Sequence, residues 1–175
     1  SGIIIKTSDG GANWNISSLG DYTPLGSVYF HNSTDGIIAG YDYLLASGVI
    51  LRTTDSGEYW FIQQTVPFVS LNKIFFINQS LGWIVGTFIN GSEKYGVILK
   101  TTDGGLNWVS QRTSDGNELN SVHFVDADFG WVVGYNFDNF NCLILKTDDG
   151  GETWANQSPF LDLWLISVHF VNNTK

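Results

Sequence analysis

Apolar residues in this chain come in short runs closed off by Gly, Asn, Asp or Ser, and no stretch repeats them at the spacing of an amphipathic helix. Four kinds of run recur in a fixed order. The first ends in an aromatic pattern: Val28-Tyr29-Phe30, Ile74-Phe75-Phe76, Val122-His123-Phe124 and Val168-His169-Phe170. The second is bracketed by glycines, from Gly36 to Gly40, Gly82 to Gly86 and Gly130 to Gly134. The third comprises Ile3–Ile5, Val49–Leu51, Val97–Leu99 and Leu143–Leu145, each followed by Lys6, Arg52, Lys100 or Lys146. The fourth begins at Trp14, Trp60, Trp108 or Trp154. These runs are β-branched and aromatic, so each repeat predicts four strands in the order a, b, c, d.

Between c and d lies one signature, Thr-x-Asp-x-Gly-x-x-Trp. Its fixed residues are Asp9, Gly11 and Trp14; Asp55, Gly57 and Trp60; Asp103, Gly105 and Trp108; and Asp149, Gly151 and Trp154. The acids stand 46, 48 and 46 residues apart, and each Trp precedes the next strand-a Phe by 16. A fixed period of this length marks a repeat architecture. Gly at the fifth position suits a tight hairpin, and the Asp carboxylate can accept the turn's own N–H groups. The Trp is expected to be buried over the hairpin, a contribution of roughly 1.5–3 kcal/mol.

Four strands per 46-residue unit predict an all-β fold, a β-propeller of four-stranded antiparallel blades with about four blades present. The boxes resemble the Asp-box (BNR) repeats of sialidase-type propellers. The longer pattern, with Val-x-Phe and Gly-Trp-x-Val-Gly, more closely resembles propellers related to the photosystem II stability and assembly factor, over residues 2–175. The repeats divide at approximately 1–24, 25–70, 71–118, 119–164 and 165–175, the first and last partial. Because the strands run from c to a, the chain reads as a segment of a larger ring. A four-bladed ring with one blade lacking strand b is the alternative.

Charge narrows the partners. Seventeen acidic residues against eight basic ones give a net charge of −9, which carries no footprint for nucleic acid or an anionic membrane. No run reaches the roughly 18 apolar residues of a membrane-spanning helix. The single Cys142 excludes an internal disulfide and stands where other repeats have Gly2, Gly48 and Gly96. Sequons at Asn15, Asn32, Asn78, Asn90 and Asn172 are candidate glycosylation sites, against the simpler reading of Asn as a turn former. A sixth, at Asn156, is weakened by Pro159. The sequons point to an extracellular or cell-surface protein, with periplasm or lumen as alternatives.

No catalytic, cofactor or metal site is predicted. The box acids read as turn formers, and Asp126 and Asp128 fall where other repeats carry Asn32 and Asn78. His123 and His169 align with Tyr29 and Phe75, which points to packing between blades, and His31 has no Cys or His at metal spacing. The sialidase resemblance implies three substrate-binding arginines, and this chain has only Arg52 and Arg112.

What varies between repeats is the set of b–c loops and d–a connections, expected to open on one face. Their aromatics, Tyr41, Tyr43, Phe88, Tyr95, Tyr135, Phe137 and Phe140, form a candidate binding face for protein or carbohydrate. Two functions follow. One is a non-enzymatic extracytoplasmic binding, adhesion or assembly module. The other, by resemblance, is a glycoside hydrolase acting on polysaccharide. It would need two of Asp21, Asp42, Glu93, Asp115, Glu118, Asp138 and Asp162 to face each other at roughly 5–9.5 Å.

Overall fold

The computed structural model describes residues 2–20 and 23–172, and among these there is no helix. Three four-stranded antiparallel sheets follow one another in the chain. The first blade comprises β3 (Leu25–Phe30), β4 (Gly36–Asp42), β5 (Ser47–Thr53) and β6 (Phe61–Pro67). The second comprises β7 (Val69–Phe76), β8 (Gly82–Asn90), β9 (Glu93–Thr101) and β10 (Val109–Asp115). The third comprises β11 (Asn117–Phe124), β12 (Gly130–Asn136), β13 (Asn141–Thr147) and the short β14 (Ala155–Asn156). Ahead of them, among the described residues, β1 (Ile3–Lys6) pairs only with β2 (Asn15–Ser18).

The second and third strands are unbroken apolar runs because both of their faces are covered by neighbouring sheets. Within β4, Ile37 and Ala39 join a core with β7–β9, including Leu71, Ile74 and Leu99. Ile38 points the other way, to a cluster with Val49, Leu51 and Trp60 against Ile4 and Leu19. Trp83, Val85 and Ile98 of the second blade pack with Leu119, Val122 and Phe124 of the third. The blades are therefore stacked face to face, and each core is shared by two of them.

The glycine brackets of strand b have two different causes. A Cβ at Gly36, Gly82 or Gly130 would collide with the ring of Phe30, Phe76 or Phe124 in the same blade. One at Gly40, Gly86 or Gly134 would run into a backbone carbonyl, of Pro24, Ser70 or Glu118 respectively. A bulge recurs in each first strand, between Leu25 and Ser27, Leu71 and Lys73, and Leu119 and Ser121. The bulge asparagines tie blades together: Asn72 Nδ2 donates to the Leu119 carbonyl at 2.7 Å, and Asn120 Nδ2 to that of Leu165 at 3.0 Å.

That last bond places the segment after β14. Val168 was expected to lie in a strand equivalent to those of Val28, Ile74 and Val122, but residues 163–170 pair with no strand. They are docked instead as that strand would be. Val168 N–H donates to Ser121 Oγ, Phe170 N–H to His123 Nδ1, and the Phe170 ring stacks on Trp131 at 3.9 Å. The equivalent pair in the preceding interface, Trp83 on Phe124, sits at 3.4 Å. Packing has been retained where the ladder has not.

Candidate functional site

Antiparallel blades have two ends, and the sequence fills them differently. At the turn end, each box is closed by the same hydrogen bonds. Thr7 Oγ1 donates to Asp9 Oδ1 at 2.8 Å and accepts from Gly11 N–H at 2.9 Å, while Asp9 Oδ1 accepts from Asn13 N–H at 2.9 Å. The same three bonds join Thr53, Asp55, Gly57 and Tyr59; Thr101, Asp103, Gly105 and Asn107; and Thr147, Asp149, Gly151 and Thr153. These donors hold the carboxyls low. Asp9 falls to about 2, chiefly through the Asn13 N–H, and Asp103 to about 2, chiefly through the Asn107 amide. Asp55 and Asp149 are also lowered, first by the Tyr59 N–H and the Thr153 hydroxyl respectively.

Burial of the box Trp is not uniform. Trp60 and Trp108 are 8% and 7% exposed, and the rings of Phe30 and Phe76 meet them edge-on at 5.9 and 5.8 Å. Trp154 is half-buried under Phe124 at 5.9 Å. Trp14 departs from the expectation at 58% exposed; among the described residues β1 and β2 form a two-stranded sheet, and no strand-a Phe meets this ring. The box forms regardless, so its hydrogen bonds are local and the Trp burial is tertiary.

The a–b turns abut the boxes: Thr34, Ser80 and Asp128 carbonyls accept from Ser56, Gly104 and Gly150 N–H at 2.8–2.9 Å. Candidate sequon residues sit here as turn formers. Asn32 Oδ1 accepts from Thr34 and Asp35 N–H, and Asn78 Oδ1 from Ser80 and Leu81 N–H. Asp126 does the same for Asp128 and Phe129. Asn15 is exposed on β2, Asn90 is exposed at the end of β8, and Asn172 follows Phe170 by two residues.

Cations at the end of strand c bind the next box. Lys6 pairs with Glu58, and Lys100 with Glu152 at 2.6 Å. Leu106 stands at that position in the box facing Arg52, which turns instead to Asp35 at 2.7 Å and the Gly104 carbonyl at 3.5 Å. The histidines are packed between rings, His31 against Tyr29 and Phe76, and His123 against Phe75 and His169. Burial lowers the pKa of both His31 and His123.

The loop end is built otherwise. One residue at each of two d–a junctions links two blades. Phe68 N–H donates to Ala46 O and its carbonyl accepts from Ile89 N–H; Gly116 does the same with Lys94 O and Phe137 N–H. Both need a left-handed backbone, φ 59° at Phe68 and 73° at Gly116. Phe140, 65% exposed at its loop tip, has φ 55°. Such φ values are cheap for glycine and strained for a bulky residue.

The predicted aromatics gather in separate groups along this end. Tyr41 meets Tyr43 edge-on at 5.1 Å, and Phe88 stacks on Tyr95 at 4.4 Å with Phe68 beside it. Tyr135 and Phe137 meet at 5.0 Å. Trp164 stacks on Tyr135 at 5.1 Å and stands edge-on to Phe137 at 5.5 Å. Lys94 Nζ lies 3.2 Å from the Phe137 ring centre and pairs with Glu118 at 3.0 Å. Tyr135 is buried, its hydroxyl donates to Asp162 at 3.0 Å, and desolvation followed by that bond raises its pKa above 10.

Several loop acids hold structure. Asp42 caps Leu44 and Leu45 N–H and accepts from Thr23 Oγ1, Glu118 pairs with Lys94, and Asp162 takes the Tyr135 proton donor. Asp21 lies outside the described residues. Sequence reasoning missed Phe68 and Trp164. Phe68 had a usable signal, an aromatic standing where the next junction uses glycine. Trp164 had one as well, since it stands where the earlier repeats carry Pro24, Ser70 and Glu118.

The family model described as photosynthesis system II assembly factor YCF48 matches residues 62–158, more than half of the chain. No curated protein matches. Among solved structures, YCF48 from Cyanidioschyzon merolae is similar at 14% identity and a TM-score of 0.39, with 89% of this chain and 66% of that one covered. This chain thus spans just under two thirds of that protein's length.

Proposed function

The chain belongs to the photosynthesis system II assembly factor YCF48 family, and on that premise we propose that it is a non-enzymatic module that binds a protein partner through the loop end of its blades. The observation that carries this reading is the placement of Phe68 and Phe140. Both are exposed, both occupy backbone better suited to glycine, and both sit at the end where the repeat does not dictate the residue. Strain kept at an exposed aromatic is a cost to folding with a use elsewhere. The turn end, in contrast, has its acids saturated by its own hairpins.

A role in assembling a larger complex follows from the family, and an extracytoplasmic location, lumenal or extracellular, suits the exposed sequon residues. Site-specific photo-cross-linking tests the reading. A benzoylphenylalanine at 68 or 140 is expected to capture a discrete membrane-complex subunit in native membranes, and one at Tyr59 or Leu106 on the turn end is not. Adducts from the turn end alone would overturn it. The hydrolase alternative rests on the loop acids; polysaccharide turnover abolished on mutating any pair among Asp42, Glu93 and Asp138, with folding unchanged, would establish it instead. Mass spectrometry of the native protein decides whether Asn32, Asn78 and Asn172 carry glycans.

A further inference from the structure

We infer that the corner formed by Tyr135, Phe137, Trp164 and Asp162 receives an arginine or lysine side chain from a basic segment of the partner protein. The inference rests on the loop end being the binding surface and names what one part of it takes.

Three observations support a cation here. The corner already holds one: Lys94 Nζ is 3.2 Å from the Phe137 ring centre, with Glu118 as its counter-ion. An aromatic face with a carboxylate beside it is the chemistry that attracts ammonium and guanidinium groups. A second such pairing stands unfilled by any internal lysine or arginine among the described contacts. Trp164 is stacked on Tyr135 yet 52% exposed, and the exposed Asp162 is fixed beside it by the Tyr135 hydroxyl. Tyr135 thus serves two purposes, flooring the indole and orienting the carboxylate.

Charge points the same way. The b–c loops and d–a connections carry seven acids, Asp21, Asp42, Glu93, Asp115, Glu118, Asp138 and Asp162, against two bases, Lys94 and Arg112. An excess of one sign on a binding surface favours partners of the other and speeds their encounter. A neutral glycan would gain the stacking but nothing from this charge.

The test uses the full chain and a labelled Gly/Ser peptide bearing two arginines, with lysine and glutamate analogues, followed by NMR and fluorescence anisotropy. The arginine peptide is expected to shift the Trp164 indole and Phe137 resonances, to bind more weakly as salt rises, and to bind best of the three. Trp164→Leu should weaken it at least fivefold and Asp162→Asn two- to threefold, the latter leaving the packed indole in place. Equal binding of the glutamate peptide, no binding of any peptide, or unchanged affinity in Asp162→Asn would overturn the inference. So would cellohexaose producing the Trp164 shifts in place of the peptide. Shifts confined to Phe68 and Phe88 would sink this assignment and keep the loop end as the surface, whereas shifts confined to the boxes would sink both.

Discussion

The turn end and the loop end of the same blades follow opposite rules. At the turn end, four boxes repeat one set of hydrogen bonds from Asp9 to Asp149, and even the box with an exposed Trp keeps them. At the loop end, equivalent positions carry Tyr41, Thr87 and Tyr135, or Phe68 and Gly116, and the edge-on pairs Tyr41–Tyr43 and Tyr135–Phe137 flank a middle blade where Phe88 stacks on Tyr95 instead. Repetition marks what folding requires of every blade. Its absence marks positions where the fold is indifferent and another demand can act.

The sharpest break in that contrast comes from the stacked interior. Trp108→Ala should cost about 3–5 kcal/mol in urea denaturation, as for other buried Trp truncations. Trp14→Ala should cost under about 1 kcal/mol, as expected of an exposed side chain. Equal losses would mean that box Trp residues act locally rather than through blade stacking. Next in size is Asp103→Ala. It removes an acceptor for Thr101, Asn107 N–H and the Asn107 amide, and should cost on the order of 1 kcal/mol, limited by the exposure of the carboxylate.

Acid should act on all four boxes together. The folded carboxyls of Asp9 and Asp103 titrate near 2, below their unfolded value near 3.8. Their contribution is therefore fully present above the unfolded value and is lost as pH falls through about 4 toward 2. A thermal midpoint flat across that window would contradict the hydrogen-bond account. The smallest effect is expected at Ser56, which has φ 66° where Gly10, Gly104 and Gly150 have 71–73°. Ser56→Gly should stabilise by up to about 1 kcal/mol, and a loss would show that the serine is retained for a contact rather than tolerated.

The blade itself was legible because the period, the glycine brackets and the box each arise from a local or nearest-neighbour constraint that every repeat must meet. Gly82 and Gly86 are required by the Phe76 ring and the Ser70 carbonyl, and both reappear one repeat later as Gly130 and Gly134. The exposure of Trp14 was not legible, because burial of a box depends on a sheet partner rather than on the box. The unpaired state of residues 163–170 was equally hidden, since their side chains match a first strand and dock like one. At the loop end, residue types pointed to the surface, and only the fold could bring Trp164, Tyr135 and Lys94 from three connections into one corner.

Crossing stability against binding in two variants tests the division of labour most directly. The urea midpoint and the cross-linking yield from a benzoylphenylalanine at position 68 would be measured for Asp103→Ala and for Phe140→Gly. The account predicts that Asp103→Ala lowers the midpoint and leaves the yield unchanged, while Phe140→Gly holds or raises the midpoint and lowers the yield. A yield that falls with Asp103→Ala in a protein still folded, and survives Phe140→Gly, would place the binding surface on the turn end and contradict it.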